Sequence, residues 1–199
     1  MKKIPTLYKR EFKNHKITKT FNKITEGCEK ALEEGIPTWK FDGFCCAVIN
    51  GELYKRYDAK KGKKAPKGAI PCCDPDPITG HHPHWLKCDS NNPADKWFFE
   101  AYKNTKLINN IDGNLSDGTY EAIGLHFNGN PYHLTIDALL AHSIPIEEPL
   151  ERTYEGIKNF LENHPNHEGL VFWIDDEPIC KIKRTDFGFE WNTKKGEKC

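Results

Sequence analysis

Lys40-Phe41-Asp42-Gly43-Phe44-Cys45-Cys46-Ala47-Val48-Ile49-Asn50-Gly51-Glu52-Leu53-Tyr54 is the stretch that decides the fold. Asn50-Gly51 divides two apolar runs, and that dipeptide is a two-residue turn signal, so residues 43–49 and 52–57 read as a β-hairpin. At the mouth of the first strand stand a lysine, one spacer, an aspartate and a glycine. A lysine there can lose its hydration, and one set beside other cations can lose its proton. Either change makes it a nucleophile. K-x-D-G alone recurs by chance, so its meaning depends on partners elsewhere in the chain.

Toward the N-terminus, residues 1–22 are basic and aromatic, with Tyr8, Phe12 and Phe21. Residues 23–35 carry Ile24, Cys28, Ala31 and Leu32 on one helical face, with Gly35 as a stop. Toward the C-terminus, Lys60, Lys61, Lys63, Lys64 and Lys67 lie in a solvated Gly/Pro loop. Ala69–Cys72 and Trp85–Cys88 read as short strands, and Pro93–Asn104 as a helix burying Trp97, Phe98 and Tyr102. Residues 106–111 and 119–126 read as strands, and Thr135–His142 and Leu150–Asn163 as helices. Gly169–Ile174 and Ile179–Arg184 form a closing hairpin around Asp175-Asp176. Hairpins interspersed with helices indicate an α+β protein, not a βαβ array.

The 199 residues suit one domain or a compact pair of lobes. No apolar run approaches the roughly 20 residues of a membrane span. Met1-Lys2-Lys3 leads into no apolar segment, so neither a secretory signal nor a membrane location is expected, and a cytoplasmic monomer is. Lysine plus arginine and aspartate plus glutamate both number 29, so net charge is silent about nucleic acid. A second lysine cluster, Lys194, Lys195 and Lys198, lies in a polar tail. The eight cysteines include two vicinal pairs and no C-x-x-C, a pattern of reduced thiols. Cys72, Cys73, His81, His82, His84 and Cys88 are zinc-type ligands at spacings that match no standard site, which argues against zinc. Cys45 and Cys46 read as buried strand residues.

Three later stretches supply the lysine's partners. Glu121 sits in the strand-like Thr119-Tyr120-Glu121-Ala122-Ile123-Gly124, and Glu168 at the entry of Gly169-Leu170-Val171-Phe172. Lys181 and Lys183 share one face of the last strand, because side chains alternate with period 2. Edge carboxylates can hold magnesium, and paired cations can neutralise phosphate oxygens.

K-x-D-G at Lys40–Gly43, then Arg56, E-x-x-G at Glu121–Gly124, E-G-hydrophobic-V at Glu168–Val171 and K-x-K at Lys181–Lys183 resemble the ordered motif set of the covalent nucleotidyltransferases. Lys40–Cys46, Gly80-His81-His82-Pro83-His84-Trp85, Tyr120–Gly124 and Asn128-Gly129-Asn130-Pro131-Tyr132 look like the small ATP-dependent 5′-3′ RNA ligase family that includes the vertebrate 5′-3′ RNA ligase. The likeness spans about residues 36 to 191. It implies a nucleotidyltransferase (ATP-grasp-like) fold, with two antiparallel sheets and flanking helices around a nucleotide pocket, formed by residues 1–199 as a single adenylation domain. It implies ATP as the source of AMP, magnesium (with manganese an alternative), and RNA with 5′-phosphate and 3′-hydroxyl ends as partner. It further implies that Lys40 is the nucleophile and that Asp42 and Glu168 support lysine and metal beside Gly43. Glu121 would contact the ribose, Arg56 the nucleotide or the RNA 5′-phosphate, and Lys181 and Lys183 the α-phosphate.

Two departures stand out. Many ligases carry glutamate before the nucleophile, where this chain has Trp39, and only 16 residues follow Lys183, so no C-terminal OB-fold is expected. That absence counts against a GTP-dependent capping enzyme or a DNA nick ligase. The filled motif positions count against a catalytically dead nucleotide- or RNA-binding module. Phe127, Tyr132 and Phe172 are the candidates to stack on adenine. The residues do not distinguish an RNA repair role from defence.

Overall fold

The computed structural model describes residues 3–14 and 16–191. The lysine-rich tail and Cys199 lie outside the described residues. In chain order the elements are β1 (Tyr8–Lys13), β2 (Lys16–Ile24), α1 (Glu29–Glu34), β3 (Ile36–Lys40), β4 (Phe44–Ile49), β5 (Glu52–Ala59), β6 (Ile70–Pro71), β7 (His82–Lys87), α2 (Lys96–Ile108), β8 (Gly118–Ile123), β9 (Ala138–Ala141), α3 (Tyr154–Asn163), β10 (Gly169–Ile174) and β11 (Glu177–Lys183). Every pairing between these strands is antiparallel, and the helices are few, as an α+β protein requires. No helix among the described residues is long and apolar enough to cross a membrane. The seven described cysteines are free thiols.

The chain divides into two compact units. The first holds residues 4–41 and 142–191 of the described chain, the second residue 3 and 42–141. In the first unit, β11-β10-β3 form a three-stranded sheet and β1-β2 a separate ribbon. Its core joins Leu7, Tyr8, Ala31, Leu32, Ile157, Leu161, Leu170, Phe172, Cys180 and Ile182, so α1 and α3 cover one face of that sheet. Thr153 caps α3 by accepting from the Gly156 amide.

The second unit is a six-stranded sheet in the order β6-β7-β5-β4-β8-β9. The Asn50-Gly51 hairpin forms as expected: both residues take positive φ, at 52° and 75°, and β4 pairs with β5 from Ile49↔Glu52 to Cys46↔Lys55. Cys46, Val48, Leu53, Tyr120, Ala122 and Leu139 face a core closed by Trp97, Phe98 and Ala101 of α2. Beneath that helix the Lys55 ammonium is paired to the buried Asp95.

Three expected elements differ. Residues 23–35 are not one helix: Ile24 ends β2, and Gly27 at φ +85° turns the chain before α1 starts. Residues 106–111 are not a strand, because α2 runs on to Ile108 and ends where Asn110 takes φ +52°. Residues 135–142 are not a helix. Ala138–Ala141 pairs with the edge of β8, and the Thr105 hydroxyl accepts from the Leu139 amide at 2.7 Å. Here a free sheet edge overrides the helix propensity of Ala-Leu-Leu-Ala.

Candidate active site

In the first unit the register of β10 assembles the lysines. Gly169 lies opposite Lys183 on one side and Lys40 on the other; two residues on, Val171 lies opposite Lys181 and Thr38. Directly paired residues project to one face, and that face recurs every second residue. Lys40, Lys181 and Lys183 therefore share a face, while Trp39, Leu170, Phe172, Cys180 and Ile182 point into the core. Gly169 stands in the row between two of these lysines. A Cβ there would lie 2.0 Å from the Ile182 carbonyl oxygen and 2.8 Å from Lys183 Cα, so the position excludes any side chain and leaves the lysines room to converge.

They converge on Glu168. Lys40 Nζ donates to Glu168 Oε2 at 2.5 Å, and Lys183 Nζ is paired with Oε1. Glu168 is 3% exposed, so this carboxylate is held by two ammonium groups out of water. Lys40 Nζ also donates to the Phe41 carbonyl at 3.3 Å. Burial first, and then the positive charges of Lys40 and Lys183, pull the Lys181 pKa down to about 8, against the opposing pull of Glu168. Arg10 adds to that field while its guanidinium holds the buried Asp186 at 2.8 Å. Two lysines on one carboxylate, with Lys181 on the same face, leave excess positive charge on a partly buried face, the electrostatic form of an anion site. The sequence alone does not single out Arg10; its signal, a cation two residues past the core residue Tyr8, is visible only once β1 is placed.

Both Glu168 oxygens are engaged by ammonium groups, so this donor set does not fit a resident magnesium ion.

In the second unit Glu121 and Cys45 are paired across β8 and β4. Cys46 pairs with Lys55, so by alternation Cys45 and Arg56 share the face opposite α2, and Glu121 shares it too. Burial, and then the Glu121 charge, push the Cys45 thiol up to about 12, with Arg56 opposing. This thiol is a spacer between carboxylate and guanidinium, not a nucleophile. The Gly43 amide donates to Glu121 Oε1 at 3.0 Å. A Cβ on Gly43 would lie 2.1 Å from the Ala122 carbonyl oxygen, which is why the K-x-D-G turn ends in glycine. The Asp42 amide donates to the Tyr132 hydroxyl at 2.7 Å, and Asn128 Nδ2 donates to Asp42 Oδ1 at 2.6 Å. The Asn128–Tyr132 turn, with Asn128 and Asn130 at φ 46° and 51°, thus braces the aspartate of the motif. Arg56 Nε donates to Asp58 at 2.8 Å beside a cavity of about 610 Å³ that Cys73, Asp76, His81 and Pro83 also line.

The remaining sequence candidates separate. Phe127 and Phe172 are buried in the two cores, which leaves Tyr132 as the aromatic beside the motif. Cys88 also belongs to the core of the second unit, and His84 is buried with Nδ1 2.8 Å from the His82 carbonyl. Trp39 points away from Lys40, as neighbours on a strand must. It stacks on His167 at 3.6 Å between ring centroids and on Phe160 at 5.6 Å. His167 titrates below its ordinary value because it is buried, with His164 next to it.

No family model matches the chain. It is 24% identical to "RNA ligase 1" of Danio rerio over a 248-position alignment that covers 92% of this chain and 76% of that protein. It is 23% identical to "RNA ligase 1" of Pongo abelii with the same coverage.

Proposed function

We propose that the chain is an adenylation domain of an ATP-dependent RNA ligase, joining 5′-phosphate to 3′-hydroxyl RNA ends. The observation that carries this reading is the convergence of Lys40 and Lys183 on the buried Glu168 carboxylate, with Lys181 on the same face. The similarity to RNA ligase 1 of two vertebrates supports the choice of RNA.

In the first step Lys40 Nζ gives up its proton, and Glu168 Oε2 is in reach to take it. The nitrogen lone pair attacks the α-phosphorus of ATP. A P–N bond forms, the bond to the bridging oxygen breaks, and pyrophosphate leaves. Lys181 and Lys183 neutralise the negative charge on the α-phosphate, so catalysis rests on positioning and charge. Magnesium bound to the ATP phosphates would add charge neutralisation there. The 5′-phosphate of RNA then displaces the lysine to give an RNA-adenylate, and a 3′-hydroxyl displaces AMP. Asp42, Glu121 and Arg56 take the supporting roles that the motif resemblance gives them: lysine support, ribose contact, and nucleotide or RNA phosphate contact.

Incubation with α-labelled ATP, or with GTP, tests the reading by acid-stable labelling of the protein. Label from ATP that is absent in Lys40→Ala is expected. Label from GTP alone would favour capping chemistry, and label retained in Lys40→Ala would refute the assignment.

A further inference from the structure

Apart from Arg10, the basic, aromatic segment at the start of the chain has no role in the proposed adenylation chemistry, yet it forms a defined structure. Residues 8–24 hold six cations (Lys9, Arg10, Lys13, Lys16, Lys19, Lys23) against the single carboxylate Glu11. The whole chain has net charge zero, so the remainder is net negative and the positive charge is concentrated here. The segment folds as the two-stranded ribbon β1-β2. Two strands alone have no second layer to bury their side chains.

The base of the ribbon is fixed. Tyr8 is in the core, Arg10 holds Asp186, and the Tyr154 hydroxyl donates to the Thr20 carbonyl at 3.2 Å. The Leu7 amide donates to the Lys181 carbonyl at 2.8 Å, and the Lys181 amide to the Pro5 carbonyl at 3.1 Å. The ribbon therefore starts beside a lysine of the candidate active site, within the same unit. Phe12, beyond the base, is 54% exposed and projects with Arg10 to one face; Phe21, next to Thr20, is 37% exposed and projects to the other face with Lys9, Lys13, Lys19 and Lys23. The Arg10 guanidinium lies 5.0 Å from the Phe12 ring centroid, and Lys19 Nζ 4.9 Å from that of Phe21. Lysines alone are explained by protection of a sheet edge from aggregation. Exposed phenylalanines work against that protection and call for a partner with flat apolar faces and negative charge.

We propose that the Phe21 face of the β1-β2 ribbon docks single-stranded RNA, with Phe21 stacking on a base and Lys9, Lys13, Lys19 and Lys23 meeting phosphates. Aromatic stacking combined with cations along the backbone is the chemistry of sequence-tolerant single-strand binding. The choice of RNA rests on the ligase reading above; the ribbon's placement next to Lys181 would deliver an RNA end to the adenylated lysine.

Fluorescence anisotropy with a labelled single-stranded RNA of about 12 nucleotides, without ATP, tests this. Phe21→Ala is expected to weaken binding about 10- to 100-fold. Lys9→Glu with Lys19→Glu, which alters only exposed side chains, is expected to weaken it and to flatten the salt dependence by roughly 0.7 for each phosphate no longer neutralised. Unchanged affinity in both variants, or no binding by the wild type, overturns the proposal. Ribbon-dependent RNA binding in a protein that ATP does not label would sink the ligase reading and leave the ribbon standing. Labelling from ATP with ribbon-independent RNA binding would do the reverse.

Discussion

The exposed faces of the two main sheets solve different problems with similar residues. On the three-stranded sheet, two lysines hold one buried carboxylate, and burial with their charges pulls the Lys181 pKa down to about 8. On the six-stranded sheet, Glu121 and Arg56 are kept apart by the Cys45 thiol, and the carboxylate is occupied by the Gly43 amide. The first face stores excess positive charge that an anion can relieve. The second is a fixed hydrogen-bonded frame, braced through Asp42 by Tyr132 and Asn128. Under the proposed function the contrast assigns charge chemistry to the lysine face and positioning to the other, and it can be broken from either side.

The largest effect is expected at Lys40. Lys40→Ala and Lys40→Arg should both abolish lysyl-AMP formation, by at least about 10³-fold in a labelling assay, because a guanidinium stays protonated and cannot attack. Glu168→Gln comes next. It keeps the shape but removes the charge that holds two ammonium groups, and should slow adenylation by roughly 10²-fold in single-turnover kinetics. A rate within a factor of about two of wild type would show that the carboxylate does not organise the lysines.

Gly43→Ala probes the frame. The new Cβ would press on the Ala122 carbonyl, and a cost of about 1–3 kcal/mol should appear as a lowered thermal midpoint. Lys181→Met probes stored charge. Lys181 has a folded pKa of about 8, below the ordinary lysine value of 10.5, so the unfolded chain holds the proton more tightly. Its penalty is full below pH 8 and fades as pH rises toward 10.5. The methionine variant should therefore be more stable at pH 7 by on the order of 1–2 kcal/mol, with the advantage shrinking above about pH 8 in denaturant titrations. The smallest effect is expected at Cys45→Ala. A thiol with a pKa of about 12 is not a nucleophile, and adenylation should stay within about threefold of wild type.

Legibility in the sequence follows chemistry more closely than secondary structure. Period-2 alternation is enough to place Lys181 and Lys183 on one face, and Asn50-Gly51 fixes the hairpin behind the motif. The opposite orientation of Trp39, stacked on His167, also follows from alternation, but its ring partners come from α3 and its flank and cannot be read locally. Ala138–Ala141 reads as helix in isolation because its strand state depends on the open edge of β8, a long-range fact. Leu107 and Ile108 read as strand for want of any sign that α2 continues. The convergence on Glu168 depends on register at Gly169, which no single motif contains.

The central claim is that Lys40 becomes covalently linked to AMP. Intact-mass analysis after incubation with ATP and magnesium, followed by peptide mapping, tests it most directly. The account predicts a mass increase of one AMP, located on Lys40 and absent from Lys40→Ala. An adduct on Lys181 or Lys183, or no adduct in a folded protein, would contradict it.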